Sequence, residues 1–347
     1  MKKLTLLAFI HLFSLALTAK TELPGIWNAG VGGQLYPLFP ADSIHFGKVD
    51  IIKELILVNL YPGFAVVKGE YRFVNTSDKT IRMHVGYPVK GHYPQRIVEH
   101  VLYNDLYNFR ANANGIPVKP YRLSDSSSVN PTRLSANDSS SANVSDWYVW
   151  EQEFPAGAET ILTVYFITQN NLARYKKGNL SSDANAFGYS LESGKAWGGK
   201  IGSGQILVKM NEDISLIEIK GLLPDSLIKG DLHHLQYSFT NLEPGPADNL
   251  LIWYEGAPPD FKFDKKVLPS TDTLYQIMDA FPISEFNNPA FTLISRKNFS
   301  VSKSGLTFSG VVYFLMFFLP WIILAGLIIF LLKGKKKIES EKSKIES

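Results

Sequence analysis

Apolar and polar positions alternate with a period of two through most of the chain between residues 50 and 254. Ile51–Asn59 (IIKELILVN) is rich in β-branched and apolar residues, and Pro62-Gly63 marks a turn. Beyond it, Val67, Gly69, Tyr71 and Phe73 alternate with Lys68, Glu70 and Arg72. That is the period of a strand with one face buried and the other wet. Asn75-Thr76-Ser77-Asp78 is a turn cluster. Ile81, Met83, Val85 and Tyr87 then alternate with Arg82, His84 and Gly86 up to Pro88. The three segments predict an antiparallel meander, whose buried face requires a second layer.

Val98–Arg110 has no clear period, and Asn112–Leu123 reads as a turn with a short extended segment. Residues 124–146 are mostly Ser, Asn and Asp and read as a long loop. Trp147–Phe154 and Thr160–Ile167 alternate on either side of Pro155-Ala156-Gly157, which predicts a hairpin. After a Gly/Asn/Ser linker at 178–186, strands are expected at Phe187–Leu191, Gln205–Met210, Ile214–Ile219, Leu235–Thr240 and Asn249–Tyr254. Short strands at this spacing predict a mainly β fold with two β-sandwich-like modules, at 45–170 and 185–258. One large sandwich is the alternative. The prolines at 258, 259, 269, 282 and 289 make 259–305 read as a membrane-proximal stalk, packed only in part, with a short helix at Leu274–Phe281.

The two ends change the picture. Met1-Lys2-Lys3, the apolar run Leu4–Leu17 and the small residues after it have the layout of a secretory signal peptide, 1–19, cleaved after Ala16 or Ala19. No charged residue occurs from Leu306 to Leu332. A helix over 308–332 is long enough to cross a ~30 Å hydrocarbon core. Pro320 would kink it. Lys333, Lys335, Lys336 and Lys337 follow at once and predict a cytosolic basic tail, 333–347. The expected topology is single-pass in the cell membrane, with a periplasmic or extracellular ectodomain and a cytoplasmic C-terminus.

Composition narrows the chemistry. The 347 residues include no cysteine, which excludes disulfides, thiol catalysis and cysteine-zinc sites. A net charge of +3 gives no reason to expect nucleic acid as a partner. The sequons at Asn75, Asn137, Asn143, Asn179 and Asn298 would matter only in a glycosylating host, and the start of the chain reads as bacterial.

Catalytic layouts are absent from the sequence: H-E-x-x-H, G-x-S-x-G and P-loop patterns do not occur. Gly198–Gly204 lacks the Walker spacing and reads as close backbone approach. His84, His92 and His100 recur every eight residues, and His233-His234 are adjacent. They are expected to be exposed strand and loop histidines, since a metal site needs convergent ligands. Glu151/Glu153 and Asp260/Asp264 could serve glycoside chemistry only across a cleft. Trp147, Tyr148, Trp150 and Trp197 are candidates for an exposed aromatic platform. Trp147 and Trp150 have opposite strand parity, so at most one of them is expected to face outward. The expected catalytic, cofactor and metal residues are therefore none, and the ligand-binding residues are open.

Taken in order, several runs resemble a family of exported bacterial β-sandwich proteins of uncharacterised function. They are Tyr71–Asp78 leading to Val85–Pro88, and Trp150–Phe154 with Pro155-Ala156-Gly157. Tyr189, Leu191, Gly194, Trp197, Gly199, Ile201 and Gly202 follow, and then Leu242-Glu243-Pro244 through Tyr254. The first run is also similar, more weakly, to vault/inter-α-trypsin-type domains. The resemblance implies exported β modules over about 48–256 and carries no catalytic residue across.

Three functions fit these features. The leading one is a non-enzymatic envelope protein, anchored in the lipid bilayer, whose ectodomain binds or scaffolds a protein or glycan. The second is a glycan-acting hydrolase using loop carboxylates. The third is a transmembrane signalling or complex subunit.

Overall fold

A computed structural model describes residues 36–37, 40–45, 47–88, 91–93, 98–103, 105–124, 143–144, 146–171, 173–177, 180–189, 191, 200–211, 213–225, 227–254 and 261–294. The chain divides into two units, Met1–Phe299 and Ser300–Ser347, and every described residue belongs to the first. The expected signal peptide, membrane span and tail lie outside the described residues. Among the described residues no helix is long and apolar enough to cross a membrane.

The described chain is mainly β. In order, its strands are β1 (Tyr36–Pro37), β2 (Val49–Tyr61), β3 (Phe64–Asn75), β4 (Ile81–Pro88), β5 (Gly91–Tyr93), β6 (Val98–Tyr103) and β7 (Tyr107–Ala113). Then come β8 (Ile116–Pro117), β9 (Tyr121–Ser124), β10 (Asn143–Val144), β11 (Asp146–Phe154), β12 (Glu159–Gln169), β13 (Ala173–Lys177) and β14 (Leu180–Tyr189). β15 (Ile201–Met210), β16 (Ile219–Leu223), β17 (Ile228–Gly230), β18 (His234–Leu242) and β19 (Leu250–Tyr254) follow. Last are two helices, α1 (Phe263–Lys266) and α2 (Thr271–Asp279), a 3₁₀ turn at Ile283–Asn287, and β20 (Thr292–Leu293).

A nine-stranded sheet runs in the order β20-β17-β18-β15-β2-β3-β12-β7-β8. One face packs against a four-stranded sheet, β1-β4-β11-β9, and a seven-stranded sheet, β10-β5-β6-β13-β14-β19-β16. Val58, Val67, Val164 and Val208 of the large sheet meet Val85, Trp150, Phe187 and Leu251 of the smaller ones in this main core.

The expected boundary between 170 and 185 is not a boundary in the fold. Ser203–Met210 of β15 pairs in parallel with Lys53–Leu60 of β2, so both expected modules contribute to one sheet. Two separate sandwiches would have required each half to bury its own face, whereas here the halves share a continuous core. Local periodicity reports which face of a strand is wet. It says nothing about a partner 150 positions away.

The expected stalk is also corrected. Phe261–Phe291 lies as a strap across the opposite face of the nine-stranded sheet, and β20 then joins that sheet at its edge. Phe263, Val267, Tyr275, Met278, Phe281 and Phe286 bury themselves against Leu57, Val66, Ile167 and Leu207. In α2, Thr271, Tyr275 and Met278 are buried at helical spacing, which gives an amphipathic helix laid on a sheet. The strap leaves a signature along the strands beneath it. In β2, Ile56–Leu60 is buried without alternation, whereas Ile52 and Lys53 are exposed. A run that is buried on both faces and apolar but for Asn59 is what two covered faces demand.

Candidate functional site

The strap divides the outer face of the nine-stranded sheet. Its footprint is apolar. Beyond the footprint the same face is polar and, among the described residues, uncovered, and strand register fixes which side chains share it. Ser203 stands opposite both Lys53 and Thr240, and Gln205 stands opposite Leu55 and Ser238. Lys53 stands opposite Arg72, which stands opposite Ile161. A cleft of about 420 Å³ is lined there by Lys53, Ser203, Gln205, Ser238 and Thr240, with Glu54, Gly204 and Phe239 from the alternate positions. Along its rim Arg72 Nε lies 3.3 Å from Glu70 Oε1, and Arg72 Nη1 lies 3.3 Å from Glu159 Oε1. Hydroxyl, amide and ammonium groups on a pleated surface form a hydrogen-bonding array. Such an array suits a polar partner lying along the strands.

Directly behind this surface sits a buried polar cluster. Tyr189 donates from its hydroxyl to Glu54 Oε1 at 2.7 Å, and the Tyr189 and Tyr71 hydroxyls are 2.8 Å apart. The Tyr87 hydroxyl is 3.4 Å from that of Tyr71, and all four side chains are buried. Burial, and after it the charge of Glu54, raises the Tyr71 and Tyr189 hydroxyls above the usual phenol range. These tyrosines stay protonated and act as hydrogen-bond relays into Glu54. Two glycines make the space. A Cβ on Gly69 would lie 2.9 Å from the Tyr71 hydroxyl, and one on Gly204 would lie 2.1 Å from the Phe239 ring. Gly204 is the described end of the Gly-rich run, and the close approach expected there is what the structure has.

The other sequence candidates scatter. Glu151 and Glu153 both pair with Arg82, at 3.3 and 2.7 Å, on the exposed face of β11. Asp264 is exposed on α1, and Asp260 lies outside the described residues. His84 is half-buried, with Nδ1 3.4 Å from Asp42 Oδ2. The side chains of His92 and His100 lie outside the described residues. His234 is not a loose surface histidine: it lies 2.9 Å from Asp231 and 3.0 Å from Glu285. Among the described residues no three His, Asp or Glu side chains converge as a metal site would require.

The two tryptophans of β11 fall within the expectation that at most one of them faces outward. Trp147 and Trp150 are both buried despite their opposite parity. Core lies on both sides of β11 at that level. Tyr148 stacks on Phe109 with centroids 4.5 Å apart, and Trp197 lies outside the described residues.

Asn75, read as an incidental sequon, turns out to be a buried bracket. Its Nδ2 donates to Lys79 O and Phe154 O, both at 2.8 Å, and its Oδ1 accepts from the Ser77 N–H at 3.0 Å. An Asn-x-Ser in a tight turn is the signal that could have shown this.

No family model matches the chain, and no curated protein matches it. Solved structures resemble it in part. A candidate nutrient binding protein of Legionella pneumophila superposes with a TM-score of 0.43 at 14% identity, over 66% of this chain and 72% of that one. An M1 zinc metallopeptidase of Deinococcus radiodurans superposes with a TM-score of 0.29 at 8% identity, over 60% of this chain and 42% of that one. The chain thus spans less than half of the metallopeptidase's length.

Proposed function

We propose that this chain is a membrane-tethered, non-enzymatic envelope protein that holds another envelope component on the uncovered half of its nine-stranded sheet. The observation that carries the reading is the division of the outer face. The strap seals the apolar half, while the polar half, with its cleft of about 420 Å³, stays open. The array of Lys53, Ser203, Gln205, Ser238 and Thr240 offers donors and acceptors suited to an extended peptide or a glycan.

Export and tethering are supported by the sequence at 1–19 and 308–332, and by the lysines at 333–337 that would keep the C-terminus cytoplasmic. The run-by-run resemblance to exported bacterial β-sandwich proteins supports the same location. The bilayer is then one partner, through the C-terminal helix, and the bound component the other.

The test places a photo-crosslinking residue at Gln205 or Thr240, with exposed Ile217 as the control position, in full-length protein in native membranes. A discrete adduct from the first two positions and none from Ile217 is the expected result. Equal diffuse labelling from all three would sink the reading.

A further inference from the structure

One histidine of β18 joins the far part of the strap to the sheet beneath it. His234 Nδ1 lies 2.9 Å from Asp231 Oδ1, and His234 Nε2 lies 3.0 Å from Glu285 Oε2. Asp231 belongs to the β17–β18 turn and Glu285 to the 3₁₀ turn of the strap, 51 positions beyond the histidine.

Ionised carboxylates only accept, and a neutral imidazole has a single N–H. The Asp231 oxygen is already engaged, accepting from the backbone N–H groups of His233 and His234 at 2.9 Å each. The Glu285 oxygen also takes Lys209 Nζ at 2.9 Å, and Lys209 stands opposite His234 in the β15–β18 register. Both oxygens are therefore fixed as acceptors, one by the turn and the other by a lysine. Only an imidazolium supplies a donor to each. The remaining packing is apolar: the ring sits edge-on to Phe286 at 5.1 Å and is stacked near Phe291 at 6.1 Å.

We propose that His234 is a proton-operated latch, closing the Ile283–Phe291 part of the strap on the sheet when doubly protonated and releasing it on losing one proton. The charged groups that face it are Asp231 and the flanking His233 on its own turn, Lys209 from β15 and Glu285 from the strap. Loss of the proton leaves a ring lone pair against a carboxylate oxygen. Asp231 is fixed by the backbone of its own turn, so the neutral ring keeps its proton on Nδ1 and turns the lone pair of Nε2 toward Glu285. Lys209 then holds Glu285 alone, across a half-exposed pair that is worth little by itself. The latch does not depend on what the open sheet face binds.

Amide hydrogen exchange of the full-length protein tests this, with protection factors corrected for intrinsic rates at about pH 5.5 and about pH 8. Protection at 283–291 should fall roughly tenfold at the higher pH, the size of one charge-assisted hydrogen bond, while β3 and β12 keep theirs. Glu285→Gln should flatten the pH response without unfolding the sheet, since a carboxamide can accept from one ring form and donate to the other. His234→Gln should flatten it too. Wild-type protection that is equal at both pH values would overturn the latch, and so would a Glu285→Gln protein that keeps the full pH response.

Discussion

Tyr189 donates to Glu54 at 2.7 Å across 135 positions of sequence, tying β14 of the seven-stranded sheet to β2 of the nine-stranded one. The bond crosses the main core, where a polar group without a partner is costly. Tyr189→Phe keeps the ring and removes only the donor to Glu54 and the contact to Tyr71. A loss of about 1–3 kcal/mol is expected, read as a lower urea midpoint at unchanged slope. An unchanged midpoint would mean that the hydroxyl chain contributes nothing to joining the layers.

Asn75 closes the turn between β3 and β4 with both amide protons committed to backbone carbonyls. Asn75→Asp replaces those donors with an acceptor-only group facing two carbonyl oxygens. Destabilisation of at least about 2 kcal/mol is expected. The same geometry leaves no room for a glycan. Protein secreted from a glycosylating host should therefore carry unmodified Asn75, as peptide mass would show.

Gly204 and Phe239 form a matched pair across β15 and β18. The ring occupies the space that any side chain at 204 would need. Gly204→Val should cost about 1–3 kcal/mol through overpacking. Combining it with Phe239→Ala should recover part of that loss. A double-mutant cycle that adds without coupling would argue against this packing.

How much of this was legible in the chain differs from element to element. The alternation of Val67, Gly69, Tyr71 and Phe73 with Lys68, Glu70 and Arg72 placed the inward and outward faces of β3 correctly. Leu55–Val58 was legible as an apolar run, but what covered its second face was not, because the strap that covers it lies some 200 positions later. Prolines at 258, 259, 269, 282 and 289 read as a spacer, yet Pro269 and Pro282 only punctuate short helical turns between buried aromatics. The polar half of the sheet face was written in Ser203, Gln205, Ser238 and Thr240. Its assembly needed the parallel β2–β15 pairing, which no local period encodes. Asp231, His234 and Glu285 meet only once the strap is in place.

Met278 on α2 is fully buried against the sheet. Met278→Ala should cost about 2–5 kcal/mol, as for other buried large-to-small changes. A stalk residue would tolerate the change. Denaturant melts of the variant therefore separate a packed strap from a spacer: a midpoint within error of wild type would restore the stalk.

Acid should loosen the strap from the side opposite to the histidine latch. Burial pushes Asp279 upward, but its hydrogen bonds from Lys68 and Tyr165 outweigh that and hold it below the usual carboxylate range. Lys209 first, and then His234, hold Glu285 low. For groups depressed by folding, the stabilisation is complete above the unfolded pKa of about 4 and disappears as pH falls through the lower folded value. Both pairs are partly exposed, so the effect is local strap release rather than global unfolding. Exchange protection over α2 and Ile283–Asn287 should drop between about pH 5 and about pH 3 before that of β2 and β3. Lys68→Met should shrink the α2 part of this response, because Asp279 then keeps only the Tyr165 hydrogen bond. If α2 loosens with the same acid profile in that variant, the Lys68–Asp279 pair is not what holds the helix down.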